Sequence, residues 1–186
     1  MITIDRFIEG LAAIPERDFT DHRVHAYLEE NRVDAETLIP YLHYAATHYT
    51  RNLIYRCELF ELMAICWEVG QASRIHNHAG QRCWMAVPIG RLRVQNYEVV
   101  RQDEATGYCE LKEADRLEMD GEHPAHVRSE RPVHAVLNLR EYGQRATSLH
   151  IYSRPYDRCL VYSREQNSYC EVPLFFDTEY GRPVRS

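Results

Sequence analysis

From about residue 53 the chain is cut into short apolar runs of strand length: 59-LFELMAICWEV-69, 83-CWMAVPIGRLRVQNYEV-99, 133-VHAVLNL-139, 147-TSLHIYS-153, 158-RCLVYS-163 and 170-CEVPLFF-176. Such runs, separated by Gly, Pro and polar clusters at near-regular spacing, predict a mainly β domain, a barrel or sandwich. Ahead of them Ile2, Ile4, Phe7 and Leu11, then Val24, Tyr27, Leu28, Leu38 and Leu42, recur at three- and four-residue steps. That is the period of helices buried along one face. Asp21 and Asp34 stand where they could cap these helices. No linker or repeat divides the two textures, so a single domain over 1–186 is expected, with a helical part over about 1–48 and a β-barrel over about 49–186. The segment after Phe176 reads as peripheral.

Charge and composition narrow the partners. Lys and Arg number 22 against 28 Asp and Glu, a formal net charge of −6, which argues against a nucleic-acid binder because phosphate contact wants a basic surface. No run approaches the ~20 apolar residues of a membrane span, and Asp5 and Glu9 interrupt the start where a signal peptide would be apolar. A cytoplasmic, monomeric protein with a small-molecule partner and no membrane or nucleic-acid partner is the expectation. The six cysteines contain no CxxC pair, so neither a zinc ribbon nor a redox dithiol is indicated, and reduced thiols are expected.

Histidine carries the chemistry. In 74-RIHNHAGQRCW-84, His76 and His78 alternate in a strand-like run and so share a face, where two imidazoles can hold one ion. His134 and His150 lie in strand-like segments with hydrophobic neighbours and are further candidates. His22, His25, His43, His48, His123 and His126 are read as ordinary surface or core residues. Ser148, His150 and Tyr152 occupy alternate positions of one run, which lines them up on one face of a strand as a potential hydrogen-bonded file.

Gly70, five residues, His76-x-His78, four residues, Cys83, six residues and Gly90 resemble the first motif of the cupin superfamily, with Cys83 at a ligand position that is normally Glu. His134 and Asn138 resemble the end of the second motif, His-x-x-x-Asn, although the usual upstream Pro-x-Gly is absent. With Cys in place of Glu, the pattern from 49-YTRNL-53 through His134 to 148-SLHIYS-153 and Pro155-Tyr156-Asp157 resembles the cysteine dioxygenase family of thiol dioxygenases. The resemblance implies a jelly-roll-like cupin barrel, Fe(II) held by His76, His78 and His134, and oxidation of L-cysteine by O2 to cysteine sulfinic acid. It further implies that Arg51, assisted by Tyr49, binds the substrate carboxylate. Tyr152 would stand beside the metal, oriented by His150 and Ser148, and could form a thioether with Cys83.

This chemistry is coherent in physical terms. Three neutral imidazoles leave an Fe(II) ion its full charge and open positions, where a carboxylate ligand would lower that charge. A guanidinium such as Arg51 offers a bidentate fork to a carboxylate. Ser153-Arg154-Pro155 departs from the family's Ser-Pro-Pro, so a second cation near the pocket would suit a dicarboxylate thiol such as mercaptosuccinate, while an ion pair with a neighbour such as Asp157 is the plainer reading. Cys159, in the same region, reads as an inert barrel cysteine. The competing functions are dioxygenation of another mercaptocarboxylate such as 3-mercaptopropionate, a non-catalytic ligand-binding cupin, and a Zn- or Ni-loaded isomerase or hydrolase.

Overall fold

A computed structural model of the protein describes residues 1–123, 125–126 and 133–184. Helices α1 (Ile4–Ala12) and α2 (Asp21–Glu30) are followed by a short 3₁₀ segment, Ala35–Tyr41. The strands are β1 (Thr50–Arg56), β2 (Phe60–Trp67), β3 (Ile75–His76), β4 (Cys83–Ile89), β5 (Leu92–Asp103), β6 (Tyr108–Met119), β7 (Ala125–His126), β8 (Val133–Leu137), β9 (Ala146–Ser153), β10 (Arg158–Ser163), β11 (Ser168–Pro173), β12 (Thr178–Glu179) and β13 (Arg182–Pro183). Among the described residues these form two sheets. One runs β13-β12-β1-β2-β9-β4-β7; the other runs β10-β11-β6-β5-β8-β3 and closes through β3–β10 pairing. The expected barrel wall is therefore two separately hydrogen-bonded sheets.

Period-two alternation in the central strands explains why helices and site occupy opposite faces of the first sheet. Phe60, Leu62 and Ala64 of β2, with Leu149 and Ile151 of β9 and Trp84 of β4, pack with Phe7, Leu11, Val24 and Leu28 of the helices. The alternate residues Met63, Ile65 and Trp67 of β2, Cys83 and Met85 of β4 and Tyr152 of β9 cluster with Leu92, Val94 and Val136 of the second sheet. A strand covered on both faces reads as an unbroken apolar run, which is why all of β2 is buried.

Several boundaries differ from the sequence expectation. Thr20, not Asp21, is the N-cap of α2, its hydroxyl accepting from the Arg23 N–H, and Asp21 sits in the first turn. Asp34 does cap, but it caps the 3₁₀ segment, accepting from the Glu36 N–H. The run 83–99 is two strands, broken at Gly90 with φ 76°, where an added Cβ would lie 2.4 Å from the Arg145 carbonyl oxygen. The segment after Phe176 is not peripheral. There β12 pairs in parallel with β1, and Thr178, buried, donates its hydroxyl to Asn52 Oδ1 at 2.9 Å.

Candidate metal centre

The two sheets meet at three histidines. His76 on β3 and His134 on β8 are direct register partners across an antiparallel pair, which fixes their separation through the backbone. His78 lies two residues beyond β3, so the expected strand is shorter than the motif and a turn brings the second imidazole in. Asn77 between them anchors that turn to β10: its Oδ1 accepts from the Leu160 N–H at 2.9 Å and its own N–H donates to the Leu160 carbonyl at 3.1 Å. Ala79 and Gly80 then turn the chain away through left-handed backbone, φ 51° and 78°.

The three rings stand 4.8 to 5.2 Å apart, centroid to centroid, and a nitrogen from each lies within 4.8 Å of the others. His78 and His134 are buried, and neither nitrogen of either ring has a hydrogen-bond partner. Buried polar atoms without partners are costly, and one nitrogen from each of the three rings, gathered within reach of a common point, fits a bound cation. The His76 Nδ1 donates to the Arg74 carbonyl at 2.9 Å, which leaves its Nε2 free as a ligand. Burial holds all three imidazoles neutral. It pushes His76 down to about 4 and holds His78 and His134 well below the usual range, with mutual repulsion adding to the effect. Among the described residues no carboxylate or thiol belongs to the cluster.

Behind the cluster, β9 presents Ser148, His150 and Tyr152 as one file. The Trp67 indole N–H donates to Ser148 Oγ at 3.0 Å, Ser148 Oγ meets His150 Nε2 at 2.9 Å, and His150 Nδ1 meets the Tyr152 hydroxyl at 3.0 Å. The Tyr152 ring lies tilted against that of His78, 5.3 Å away. Cys83 on β4 is the register partner of Tyr152, and burial raises its thiol well above the ordinary value. Burial likewise pushes His150 down to about 3 and holds the Tyr152 phenol protonated.

A cavity of about 710 Å³ opens beside the cluster, with Tyr49, Arg51, Arg74, His76, Tyr156 and Cys159 on its wall. Arg51 Nε and Nη2 are buried there without a partner, while its backbone N–H donates to Asp177 Oδ2 at 2.9 Å. Tyr49 stacks on Trp67 at 4.6 Å, which fixes the phenol next to Arg51. The structure thus brings together His76, His78, His134, Ser148, His150, Tyr152, Cys83, Arg51 and Tyr49. It does not bring Arg154, which is exposed and paired with Glu16 of the N-terminal segment, not with Asp157 and not on the cavity wall.

Cys159, read as an inert barrel cysteine, and three residues without an assigned role find their places here. Cys159 lines the cavity, with burial raising its thiol, so it is a wall residue and an unreactive one. His48 is also on the wall and pairs with Asp177 at 2.9 Å. Tyr156 sets its ring 5.1 Å from Tyr152. Glu61 is buried inside β2, and the signal that marked it was a lone carboxylate within an apolar run. Asn138 proves to be a staple: its Nδ2 contacts the carbonyls of Trp67, Glu68 and Gln144. The side chain of His126 and the residues just before Val133 lie outside the described residues.

A mainly β fold with N-terminal helices, holding an all-histidine triad suited to a metal between its sheets, defines a metal-binding protein of the cupin type. The profile of the family described as cysteine dioxygenase type I matches residues 5–165, and the chain belongs to that family. Human cysteine dioxygenase type 1 is 26% identical over 159 residues, covering 85% of this chain and 77% of the human protein. The Danio rerio cysteine dioxygenase type 1 is 24% identical over 181 residues, covering 96% and 88%. Among solved structures, a double-stranded β-helix protein of Klebsiella pneumoniae aligns with TM-score 0.46 and 13% identity over 67% of this chain and 86% of its own. A cupin superfamily protein of Desulfitobacterium hafniense aligns with TM-score 0.44 and 10% identity, over 61% and 84%.

Proposed function

We propose that the protein is a mononuclear non-haem iron(II) thiol dioxygenase that converts L-cysteine and O2 to cysteine sulfinic acid, both oxygen atoms joining the sulfur. The observation that carries this reading is that two unpartnered sets of groups meet at one cavity: the histidine cluster, which reaches the wall through His76, and the guanidinium of Arg51. His76, His78 and His134 would hold the ion through neutral nitrogens. Iron(II) so held keeps its full charge, offers open positions where a thiol and dioxygen can meet, and supplies the redox chemistry.

The chain's own residues do the rest. Arg51 presents its Nε and Nη2 edge to the substrate carboxylate, and Tyr49, held on Trp67, narrows that end. Trp67 can only donate to Ser148, and the polarity of the rest of the file follows the His150 tautomer. In the Nδ1–H tautomer Ser148 donates to His150 Nε2 and His150 donates to the phenol oxygen, which leaves the Tyr152 proton to donate toward the cavity. His150 stays neutral throughout, so the file sets orientation and does not carry charge. The Cys83–Tyr152 pairing supports a thioether as the family implies, a bond from Sγ to a ring carbon formed with loss of two hydrogens to dioxygen.

A mercaptocarboxylate larger than cysteine is a second reading, favoured by the cavity volume of about 710 Å³ and by exposed Arg74 on its wall. Oxygen uptake by Fe(II)-loaded protein with L-cysteine, 3-mercaptopropionate, mercaptosuccinate and cysteamine separates the readings. L-cysteine is expected to be turned over best. A preference for mercaptosuccinate would move the substrate, and no uptake with any thiol despite bound iron would reject the enzyme.

A further inference from the structure

Strand β2 is buried from end to end, yet one of its residues is a carboxylic acid. Glu61 is 0% exposed, and neither carboxyl oxygen accepts a hydrogen bond. Among the described residues its ion contact is with Arg56 Nη2, at 3.3 Å. Backbone register sets Arg56, Glu61, Tyr152 and Cys83 on one rung across β1, β2, β9 and β4, so the carboxyl points to the same interior as the Tyr152 phenol. The Phe176 ring ties this rung to the substrate end: the guanidinium carbons of Arg51 and Arg56 lie 5.6 and 5.9 Å from its centroid.

Charged and titratable groups facing Glu61 are Arg51 and Arg56 from β1, Tyr152 from β9, with Cys83 of β4 behind it, and Tyr156 from the turn after β9. Burial keeps Tyr152, Tyr156 and Cys83 protonated, and both arginines stay charged. Glu61 is the member of this set whose charge can change near neutrality. Burial raises its carboxyl to about 7 although Arg56 and Arg51 pull it down.

We infer that Glu61 is a positioning residue for the substrate's carboxylate, its proton deciding whether Arg51 and Arg56 present two positive charges or a net of one to an incoming mercaptocarboxylate. The inference rests on the thiol dioxygenase reading above. With Glu61 neutral, Arg51 has no internal competitor for the substrate's acid group. With Glu61 ionised, the cluster is partly satisfied from within, and the carboxylate binds less tightly. Linkage makes the effect reciprocal: binding a carboxylate draws a proton onto Glu61.

The test is KM and kcat for L-cysteine and for cysteamine, which lacks the carboxylate, from about pH 6 to about pH 8.5 in wild type, Glu61→Gln and Arg56→Gln. For L-cysteine, wild-type KM should match that of Glu61→Gln at the acid end and exceed it by about tenfold at the alkaline end, the scale of one nearby charge in a partly screened site. The change should fall on KM, and cysteamine should show none of it. Arg56→Gln removes a cation that favours ionised Glu61, so the inflection should move to higher pH. Parallel KM profiles in wild type and Glu61→Gln, or an equal change with cysteamine, would overturn the inference. Anaerobic calorimetry of L-cysteine binding in buffers of different ionisation heat provides a second reading. Near pH 7.5 wild type should take up more protons, or release fewer, than Glu61→Gln by up to one per substrate bound, and equal proton counts in both would also overturn the inference. Failure of the function itself looks different: no oxygen uptake with any thiol.

Discussion

The interior holds two sets of buried imidazoles that share one electrostatic environment and differ in their partners. His78 and His134 have all four ring nitrogens unpartnered, whereas His150 is satisfied at both, by Ser148 and Tyr152. All three are held neutral by burial. The charge state therefore does not separate a ligand from a positioning residue; the hydrogen-bond account does. An unpaired buried nitrogen asks for a cation, while a doubly paired one fixes a neighbour's geometry.

That contrast breaks most sharply at the metal. His134→Ala should reduce bound iron, read by metal analysis after purification and desalting, from near one equivalent to near none, whereas His150→Gln should keep its iron. Equal retention in both would erase the distinction. Next in size is the file. Tyr152→Phe should lower kcat on the order of a hundredfold, the scale of a positioned proton donor, with iron content unchanged. Steady-state rates at matched iron loading check it.

Arg51→Ala removes a charge-assisted contact worth about 2 to 3 kcal/mol, so kcat/KM for L-cysteine should fall roughly 30- to 100-fold, mainly through KM. The same change should leave cysteamine turnover nearly untouched, which initial rates with both thiols will show.

An effect of similar size appears in pH-dependent stability of the metal-free protein, where the two kinds of buried group pull in opposite directions. His76 and His150 have folded values lowered to about 4 and about 3, so their contribution is present above the unfolded value of about 6.5 and is lost as pH falls toward those values. Glu61 has a folded value raised to about 7, so its contribution is present below about 4.5 and is lost as pH rises through 7. The full Glu61 shift corresponds to roughly 3 kcal/mol. Glu61→Gln should therefore gain stability over wild type as pH rises from about 4.5 to about 7, with denaturant midpoints at several pH values as the check. A constant difference across that range would remove Glu61 from the titration.

Sequence periodicity made the central strands and the helices legible because their apolar faces are continuous: β2, β8 and β10 fall within the expected runs, and β9 exceeds its run by one residue. The hairpin of β5 and β6 was only half legible. In β6 the buried Cys109 and Leu111 alternate with Glu110 and Lys112, but Lys112, Glu113 and Arg116 then interrupt the apolar pattern. Strand β12 was missed for another reason: two residues joined to β1 by backbone pairing leave no pattern in the side chains.

Within the site, the Ser148–His150–Tyr152 file was legible because alternate residues on a strand must share a face, whereas His76, His78 and His134 were legible through the family motif, His78 being brought in by a turn beyond the strand. Arg154 forms the ion pair that was the plainer reading, but with Glu16 in place of Asp157, because proximity in sequence says nothing about direction. Its left-handed backbone, φ 65°, coincides with a side chain that turns outward to Glu16. Glu61 and Tyr156 were hidden because their meaning depends on neighbours from other strands, Arg51 and Arg56 for one and Tyr152 for the other.

The central claim is that three neutral imidazoles and one guanidinium make this cavity a place where a mercaptocarboxylate thiol takes both atoms of one dioxygen molecule. The most direct measurement is single-turnover reaction of Fe(II)-loaded protein with L-cysteine under ¹⁸O-labelled dioxygen, with the product identified by mass spectrometry. The account predicts cysteine sulfinic acid carrying both labelled atoms on sulfur. A disulfide product, or a sulfinate whose oxygens come from water, would contradict it.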